Sequence, residues 1–540
     1  MTRSHPQRVS RPGRRSVKVR HMVSCDAYGG RYMMEVETKL VPPSGFSMPG
    51  LLDVVVGTRP TGGGVGPAEP VRLVARYFDT DDLALARSSI TLRYRSDPSG
   101  GRWTVKLPAR SRKSHHLARR EVDVDGPETD VPRALLGLLT AQLRGRTPTV
   151  VATLVTSRVT QRLTTSDGAG LVEVAVDHVC GTRTDGPVLE FDEVEVEQLD
   201  GFGAKRARRA MVTALRSAGC RRGSQVPKLM RVLGTDQLGP PDVVVPTLPP
   251  EPTVHEAVGH AMARSLDQLL FHDPRIRLGG DEEDLHQFRV AVRRLRSDLR
   301  TFVDVLDVLD GPSAAALARE LGWLADATSA RRDLDVLRAR LVAAKNEVSP
   351  LDTKALEKLV DRCDLQAEQA GAMVLEALES RRYVDLLDAL VKSVAGLADP
   401  DRPGAGEVTD KDHLRAMVRR RWKKLDRHIA HLERDPSPAV LHRTRIVAKR
   451  CRAALGAVRP ILGSRSKKLE RDLGGLQDVL GDVHDCEVAQ EWLRLAAKEQ
   501  WSTALVAGQL VAGLRAEEER GWNDWPEAWK RVEHRRRRRR

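Results

Sequence analysis

The hydrophobic rhythm changes once along this chain, and that change constrains its folding more than any other feature. Up to residue 233, apolar residues often alternate with polar ones, as in Met34–Leu40, Ser89–Arg95, Arg102–Leu107, Arg119–Val124, Leu171–Val176 and Glu193–Glu197. A period of two predicts strands. After the Pro-rich stretch Gly234–Pro252, apolar residues recur every three to four positions among Ala, Leu, Arg and Glu. The segments Val254–Leu270, Leu285–Val308 and Leu441–Val458 therefore read as helices. A chain of 540 residues exceeds what one core organises. The expected plan has a basic arm at 1–30, an all-β or α+β domain at 31–233 and a semi-rigid linker at 234–253. An all-α domain follows at 254–530, then a basic tail at 531–540. Asp399–Asp410 (DPDRPGAGEVTD) divides the helical part into halves at about 254–398 and 411–530. Arg535 to Arg540 read as an unfolded, anion-attracting run.

Charge narrows the partners. Lys and Arg number 89 against 74 Asp and Glu, a net +15, which points to a polyanion. Aromatics make up only 4%, which argues against single-stranded nucleic acid held by base stacking. No apolar run is long enough to span a bilayer, and no secretory h-region is visible, so a cytoplasmic protein without a membrane partner is expected. The six cysteines include no CxxC pair, which disfavours a zinc site or a disulfide framework.

The strands sort their charges. Glu35, Glu37 and Lys39 fall at i, i+2 and i+4 and share one face. So do Glu193, Glu195 and Glu197, with Val194 and Val196 opposite. Other strands carry bases in a row (Arg93 and Arg95; Arg158 and Arg162) or add Lys106, Arg119 with Glu121, and Glu173 with Asp177. A plain solvent face has no reason to set Glu beside Glu. A hard-cation site has, because carboxylate oxygens suit Mg²⁺ and Mn²⁺, and converging Arg and Lys suit phosphate.

The order Glu35-x-Glu37-x-Lys39, Tyr77-Phe78-Asp79-Thr80, Arg93-x-Arg95, Lys106, Arg119-Arg120-Glu121, Arg158, Glu173 with Asp177, Glu193-x-Glu195-x-Glu197 and Lys228 resembles the CYTH superfamily, the triphosphate tunnel metalloenzymes, over about residues 33–233. The resemblance implies an eight-stranded antiparallel β tunnel with outer helices and a polar lumen. It implies Mg²⁺ or Mn²⁺ at Glu35, Glu37, Glu193 and Glu195, with Asp177, Glu173 and Glu197 as further ligands. Phosphates would be gripped by Lys39, Arg93, Arg95, Lys106 and Arg158, with Arg119 and Lys228 beside them. Glu121 would orient an Arg or a water, and a metal-activated water would attack the terminal phosphorus. Val176, where relatives often carry an acid, and the Gly-rich insert Arg59–Pro70 depart from the pattern.

The helical part repeats itself. His286, Arg289, Arg293, Arg294 and Arg296 return with the same spacing as His442, Arg445, Lys449, Arg450 and Arg452. Leu321-Gly322-x-Leu324-x-Asp326 returns as Leu473-Gly474-x-Leu476-x-Asp478, and Arg332-Asp333-x-Asp335 as His484-Asp485-x-Glu487. This is an internal duplication of a helical unit. Offsets 0, +3, +7 and +10 lie on one helix face, and no acid separates the bases in either copy. The pattern resembles the CHAD domain over about residues 254–529. That resemblance implies inorganic polyphosphate bound in a basic channel between the halves, lined by these ten residues. Arg332, Asp333, Asp335, His484 and Asp485 would orient them or make polar contacts of their own. Metal chelation by the histidines is disfavoured, since each stripe holds one His and no acidic ligand.

The expected function is metal-dependent hydrolysis of inorganic triphosphate or a related polyphosphate in the barrel. The helical domain would capture long chains or associate with polyphosphate granules. The alternatives are a non-catalytic polyphosphate-binding or granule-targeting protein, or an enzyme acting on an organic triphosphate, such as a nucleotide cyclase or a thiamine triphosphatase. Duplex nucleic acid is the remaining competitor for the basic helices.

Overall fold

Alternating residues put one apolar and one polar side chain on opposite faces of each strand, so a sheet of such strands can bury both faces by closing. A computed structural model of the protein shows this closure. It describes residues 23–25, 30–46, 70–97, 100–109, 117–165, 168–199, 201–280, 282–306, 312–398 and 411–537. The expected basic arm (apart from Val23–Cys25 and Gly30), residues 59–69 of the Gly-rich insert, the break at 399–410 and Arg538–Arg540 lie outside these. Two units result, one of residues 1–136 and 147–239, the other of 137–146 and 240–540.

In the first unit the barrel strands are β1 (Gly30–Val41), β2 (Pro70–Asp79), β3 (Thr91–Asp97), β4 (Gly100–Pro108), β5 (Leu117–Val124), β6 (Thr149–Thr164), β7 (Gly170–Arg183) and β8 (Val188–Gln198), and the short strands Val23–Cys25 and Arg221–Arg222 pair with β1. They pair antiparallel in the order β1-β5-β4-β3-β2-β6-β7-β8, and β8 returns to β1 through Lys39↔Glu195. Closure removes the edges. Two helices cover the barrel. On α1 (Ala204–Ser217), Ala204, Met211 and Leu215 pack on the outward Leu40, Val172, Val174, Val194 and Val196. On the short α2 (Lys228–Leu233), Leu229, Met230 and Leu233 pack instead on Ala75, Tyr77, Leu154 and Val179. Those positions share the inward face with Arg93, Arg95 and Arg158 through the registers Tyr77↔Arg93, Ala75↔Arg95 and Asp177↔Arg158. Thus α2 fills one end of the lumen.

The second unit is helical: α3 (Val254–Arg277), α4 (Glu282–Thr301), α5 (Ala314–Ala327), α6 (Ser329–Ala344), α7 (Thr353–Glu379), α8 (Arg381–Ala398), α9 (Lys411–Arg434), α10 (Pro438–Ala457), α11 (Ser464–Glu499) and α12 (Ala504–Arg537). Helix α3 starts where Thr253 Oγ1 accepts from the Glu256 amide and Glu256 accepts from the Thr253 amide, a reciprocal cap. The two copies of the duplication differ. Motifs split between α5 and α6 in the first copy run along the single 36-residue helix α11 in the second. No helix among the described residues is long and apolar enough to cross a membrane.

Two expectations need correction. The stretch expected as a separate semi-rigid linker is in part built into the helical unit: Val243 is buried in the helical core, and Asp242 accepts a hydrogen bond from Arg144. The C-terminal arginines through Arg537 are helical. Asp472 accepts from Arg535, Arg536 pairs with Asp426 at 2.6 Å, and Arg537 pairs with Glu533 at 2.7 Å, so local acids offset the repulsion that would unfold the run.

Candidate functional site

The closed barrel turns the sorted charges inward. Glu35, Glu37, Lys39, Arg119, Asp177 and Glu193 are all buried. Lys39 Nζ donates to Glu193 at 2.7 Å and Glu195 at 2.9 Å, and lies 3.7 Å from Glu37. Lys106 donates to Glu35 at 2.7 Å and lies 3.3 Å from Glu121. Arg158 grips Asp177 with Nε and Nη2 at 2.7 and 2.6 Å and reaches Glu195 at 2.7 Å. Lys228, delivered by α2, donates to Asp177 at 2.6 Å and Glu195 at 2.7 Å.

Most predicted barrel residues therefore converge, and Glu173 does not. It lies four residues from Asp177, about 13 Å along the strand, and accepts from Arg162 at 2.5 and 3.0 Å. Sequence reasoning missed Arg231, which donates to Glu193 at 3.2 Å and stacks 3.6 Å over Phe191. Its spacing of i+3 from Lys228 on α2 was the available signal. Tyr77, from the Tyr77-Phe78-Asp79-Thr80 motif, also reaches the site, with its hydroxyl 3.5 Å from Arg93. In the same motif Asp79 is structural, accepting from the Thr80, Leu85 and Ala86 amides at 2.8–2.9 Å.

The electrostatics are uneven. Burial, then Glu195, pushes the Glu37 carboxyl up to about 7, and Glu35 adds to this. Burial alone would raise Glu195 too, but Lys228, Lys39 and Arg158 hold it well below the usual carboxylate range. Glu121 is likewise held low, because Lys106 and Arg93 overcome its burial. The Arg93 charge, and then burial, push Arg95 down to about 10. Burial lowers Arg119 against the pull of Glu35 and Glu37. Neither Arg95 nor Arg119 forms an ion pair with any described residue, and the buried Nε atoms of Arg93 and Arg119 have no hydrogen-bond partner. The lumen thus holds under-satisfied guanidinium donors opposite a crowded set of carboxylates, an arrangement suited to an anion carrying a cation.

In the helical unit α4 packs on α10, bringing the two stripes together in part. Arg289 and Arg293 lie near Arg445 and Lys449. Burial, then Arg289 and Arg445, push Arg293 down to about 10. Burial, then Arg445 and Arg293, push Lys449 down to about 7. Asp333 sits near Arg289 and Arg445, and Asp485 is 3.5 Å from Arg445. Asp335 instead pairs with Arg331 at 2.9 Å. His286 lies near Arg332 and is held low by burial and that charge. The His442 and His484 rings meet at a tilt, 4.4 Å between centroids; burial and Arg445 lower both, His484 to about 4.

The last two positions of each stripe leave this cluster, contrary to the expected single lining. Arg296 packs over Gly322 and Arg452 over Gly474, where a Cβ would lie 2.8 and 3.2 Å from the respective guanidinium groups. Arg294 sits near Arg452 and Glu470, and Arg450 near Arg296 and Arg421. The exchange of equivalent positions between copies fits a pseudo-twofold crossing of α4 and α10. Glycines on the next helix draw the long side chains aside, which stripe spacing does not reveal.

Comparison with known proteins agrees with both units. The CYTH domain family matches residues 33–230 and the CHAD domain family residues 260–494. The chain carries a CYTH domain followed by a CHAD domain. An uncharacterized protein of Mycobacterium tuberculosis is 29% identical over 437 residues, covering 78% of this chain and 82% of its own. The CHAD domain of Ricinus communis is 26% identical over 54% of this chain and 95% of its own, with a TM-score of 0.45. A Pyrococcus horikoshii protein is 17% identical over 37% of this chain and 98% of its own, with a TM-score of 0.23. The CYTH domain places the barrel in the triphosphate tunnel enzyme family, which acts on phosphoanhydrides and generally depends on a divalent metal. Among the described residues no three His, Cys, Asp or Glu side chains are positioned to hold an ion, and Lys39, Lys106 and Lys228 reach into the carboxylates. The donor chemistry nevertheless fits a hard cation: Glu37 is crowded by Glu195 and Glu35, and Lys39 and Lys106 relieve that crowding only in part.

Proposed function

We propose that the CYTH barrel hydrolyses inorganic triphosphate or a related polyphosphate and that the CHAD domain binds polyphosphate chains. The observation that carries the first part is the set of lumen guanidinium groups beside the carboxylates: buried Arg119 and half-buried Arg93 each leave Nε without a hydrogen-bond partner, and half-buried Arg95 forms no ion pair with any described residue. A triphosphate supplies the missing acceptors. Arg93, Arg95, Lys106 and Arg158 bind its oxygens, and Lys39 and Lys228 hold Asp177, Glu193 and Glu195 in place. Glu121, kept ionised by Lys106 and Arg93, orients both. Glu35, Glu37, Glu193 and Glu195 would hold Mg²⁺ or Mn²⁺, which supplies Lewis-acid polarisation of phosphoryl oxygens. The cations are fixed before the substrate arrives, so charge developing on the phosphoryl group meets an organised field.

The second part rests on Arg289, Arg293, Arg445 and Lys449, whose mutual repulsion a phosphate chain relieves. The test measures phosphate release from tripolyphosphate, ATP and long polyphosphate with Mg²⁺ or Mn²⁺. Wild type should turn over tripolyphosphate best, with turnover abolished in Glu35→Gln and Arg93→Met. Full turnover in those variants would overturn the tunnel mechanism. Tight polyphosphate retention without release would leave only binding.

A further inference from the structure

Residues 201–235 hold nine bases and no acid. Lys228 and Arg231 serve the lumen, and Arg208 is buried with Nη1 donating to Thr38 at 2.5 Å. The other six, Lys205, Arg206, Arg209, Arg216, Arg221 and Arg222, are all exposed, and none forms an ion pair with any described residue. At about 100° per residue, Lys205, Arg209 and Arg216 fall within roughly 40° of arc on α1, a file about 16 Å long. Arg206 flanks it. The opposite side of α1 is buried against the barrel through Met211 and Leu215, so packing fixes the direction in which the file faces. A solvated helix face normally interleaves acids to relieve such repulsion.

We infer that this file on the outside of the CYTH barrel is a docking track for long-chain polyphosphate. The identity of the polyanion rests on the function proposed above; the track itself rests on the exposed bases. The file of Lys205, Arg209 and Arg216 matches one linear chain of phosphates. A duplex presents two backbones across a groove roughly 12 Å wide, whereas the aligned bases of α1 form one file, with Arg206 alone on its flank. Single-stranded nucleic acid is held by successive stacked rings, whereas Phe202 is the only aromatic residue between 201 and 235.

The test uses the full chain and a salt series of long-chain polyphosphate binding. It compares wild type with Lys205→Gln/Arg209→Gln/Arg216→Gln, the matching triple Glu variant, and Arg289→Ala/Arg445→Ala. The Gln triple should weaken affinity on the order of tenfold and reduce the slope of log K against log salt by about 2. The Glu triple should weaken it further. Tripolyphosphate turnover and the thermal midpoint should match wild type, since none of the three side chains enters the lumen or a core. Unchanged affinity and slope in both triples would overturn the track, while loss in Arg289→Ala/Arg445→Ala would leave the CHAD reading standing. Loss in the triples alone would support the track and remove the CHAD reading. If the triples lost duplex DNA or anionic vesicles but kept polyphosphate, the partner named here would be wrong.

Discussion

Lys39 Nζ sits 2.7 Å from Glu193 Oε1 and joins β1 to β8 across 154 residues of sequence. The pair lies on the seam that closes the barrel. It links fold and site, because the same ammonium also holds Glu195.

Removing that ammonium strands buried carboxylates. Lys39→Met should cost about 3–5 kcal/mol, read as a lower denaturant midpoint at unchanged slope. A loss below about 1 kcal/mol would contradict the buried geometry.

Arg95 and Arg158 should separate binding from stability. Arg158 neutralises Asp177 and Glu195, so Arg158→Ala should destabilise by about 3–5 kcal/mol. Arg95 is pressed by Arg93 and forms no ion pair with any described residue, with Glu121 and Asp123 offsetting only part of that repulsion. Arg95→Ala should stabilise the ligand-free protein by about 1–3 kcal/mol at neutral pH while weakening tripolyphosphate binding. Urea denaturation and calorimetric titration of both variants check this.

Lys449 predicts a pH effect in the CHAD domain. Its amine falls from 10.5 to about 7 in the folded state, so folding is favoured by its neutral form. Its favourable effect is complete above pH 10.5 and is lost as pH falls toward about 7. The denaturant midpoint should rise between pH 7 and 9.5 in wild type, and less in Lys449→Met. Polyphosphate restores the charge, so binding near pH 8 should take up protons. Titration calorimetry in two buffers of different ionisation enthalpy measures that uptake.

Gly181 tests the plug at the end of the lumen. A Cβ there would overlap Val232 Cγ2 on α2. Gly181→Ala should displace α2 and cost about 1–3 kcal/mol. It should also lower tripolyphosphate turnover without altering any charged residue, because Lys228 and Arg231 ride on that helix. Wild-type turnover with a wild-type midpoint would refute the contact.

The sequence by itself determined the two fold classes, the inward face of each strand and the duplication, because side-chain period and motif spacing are local properties of the chain. Glu35, Glu37 and Lys39 had to share a face whatever paired with them, and His286 and His442 had to begin matching stripes. Tertiary structure alone decided the partners. Barrel closure chose Glu193 and Glu195 for Lys39 and gave Glu173 to Arg162. Helix α2 carried Arg231 into the lumen, and Gly322 and Gly474 drew Arg296 and Arg452 out of the stripes. Such pairings depend on which distant strands and helices become neighbours, and a long charged side chain can reach several of them.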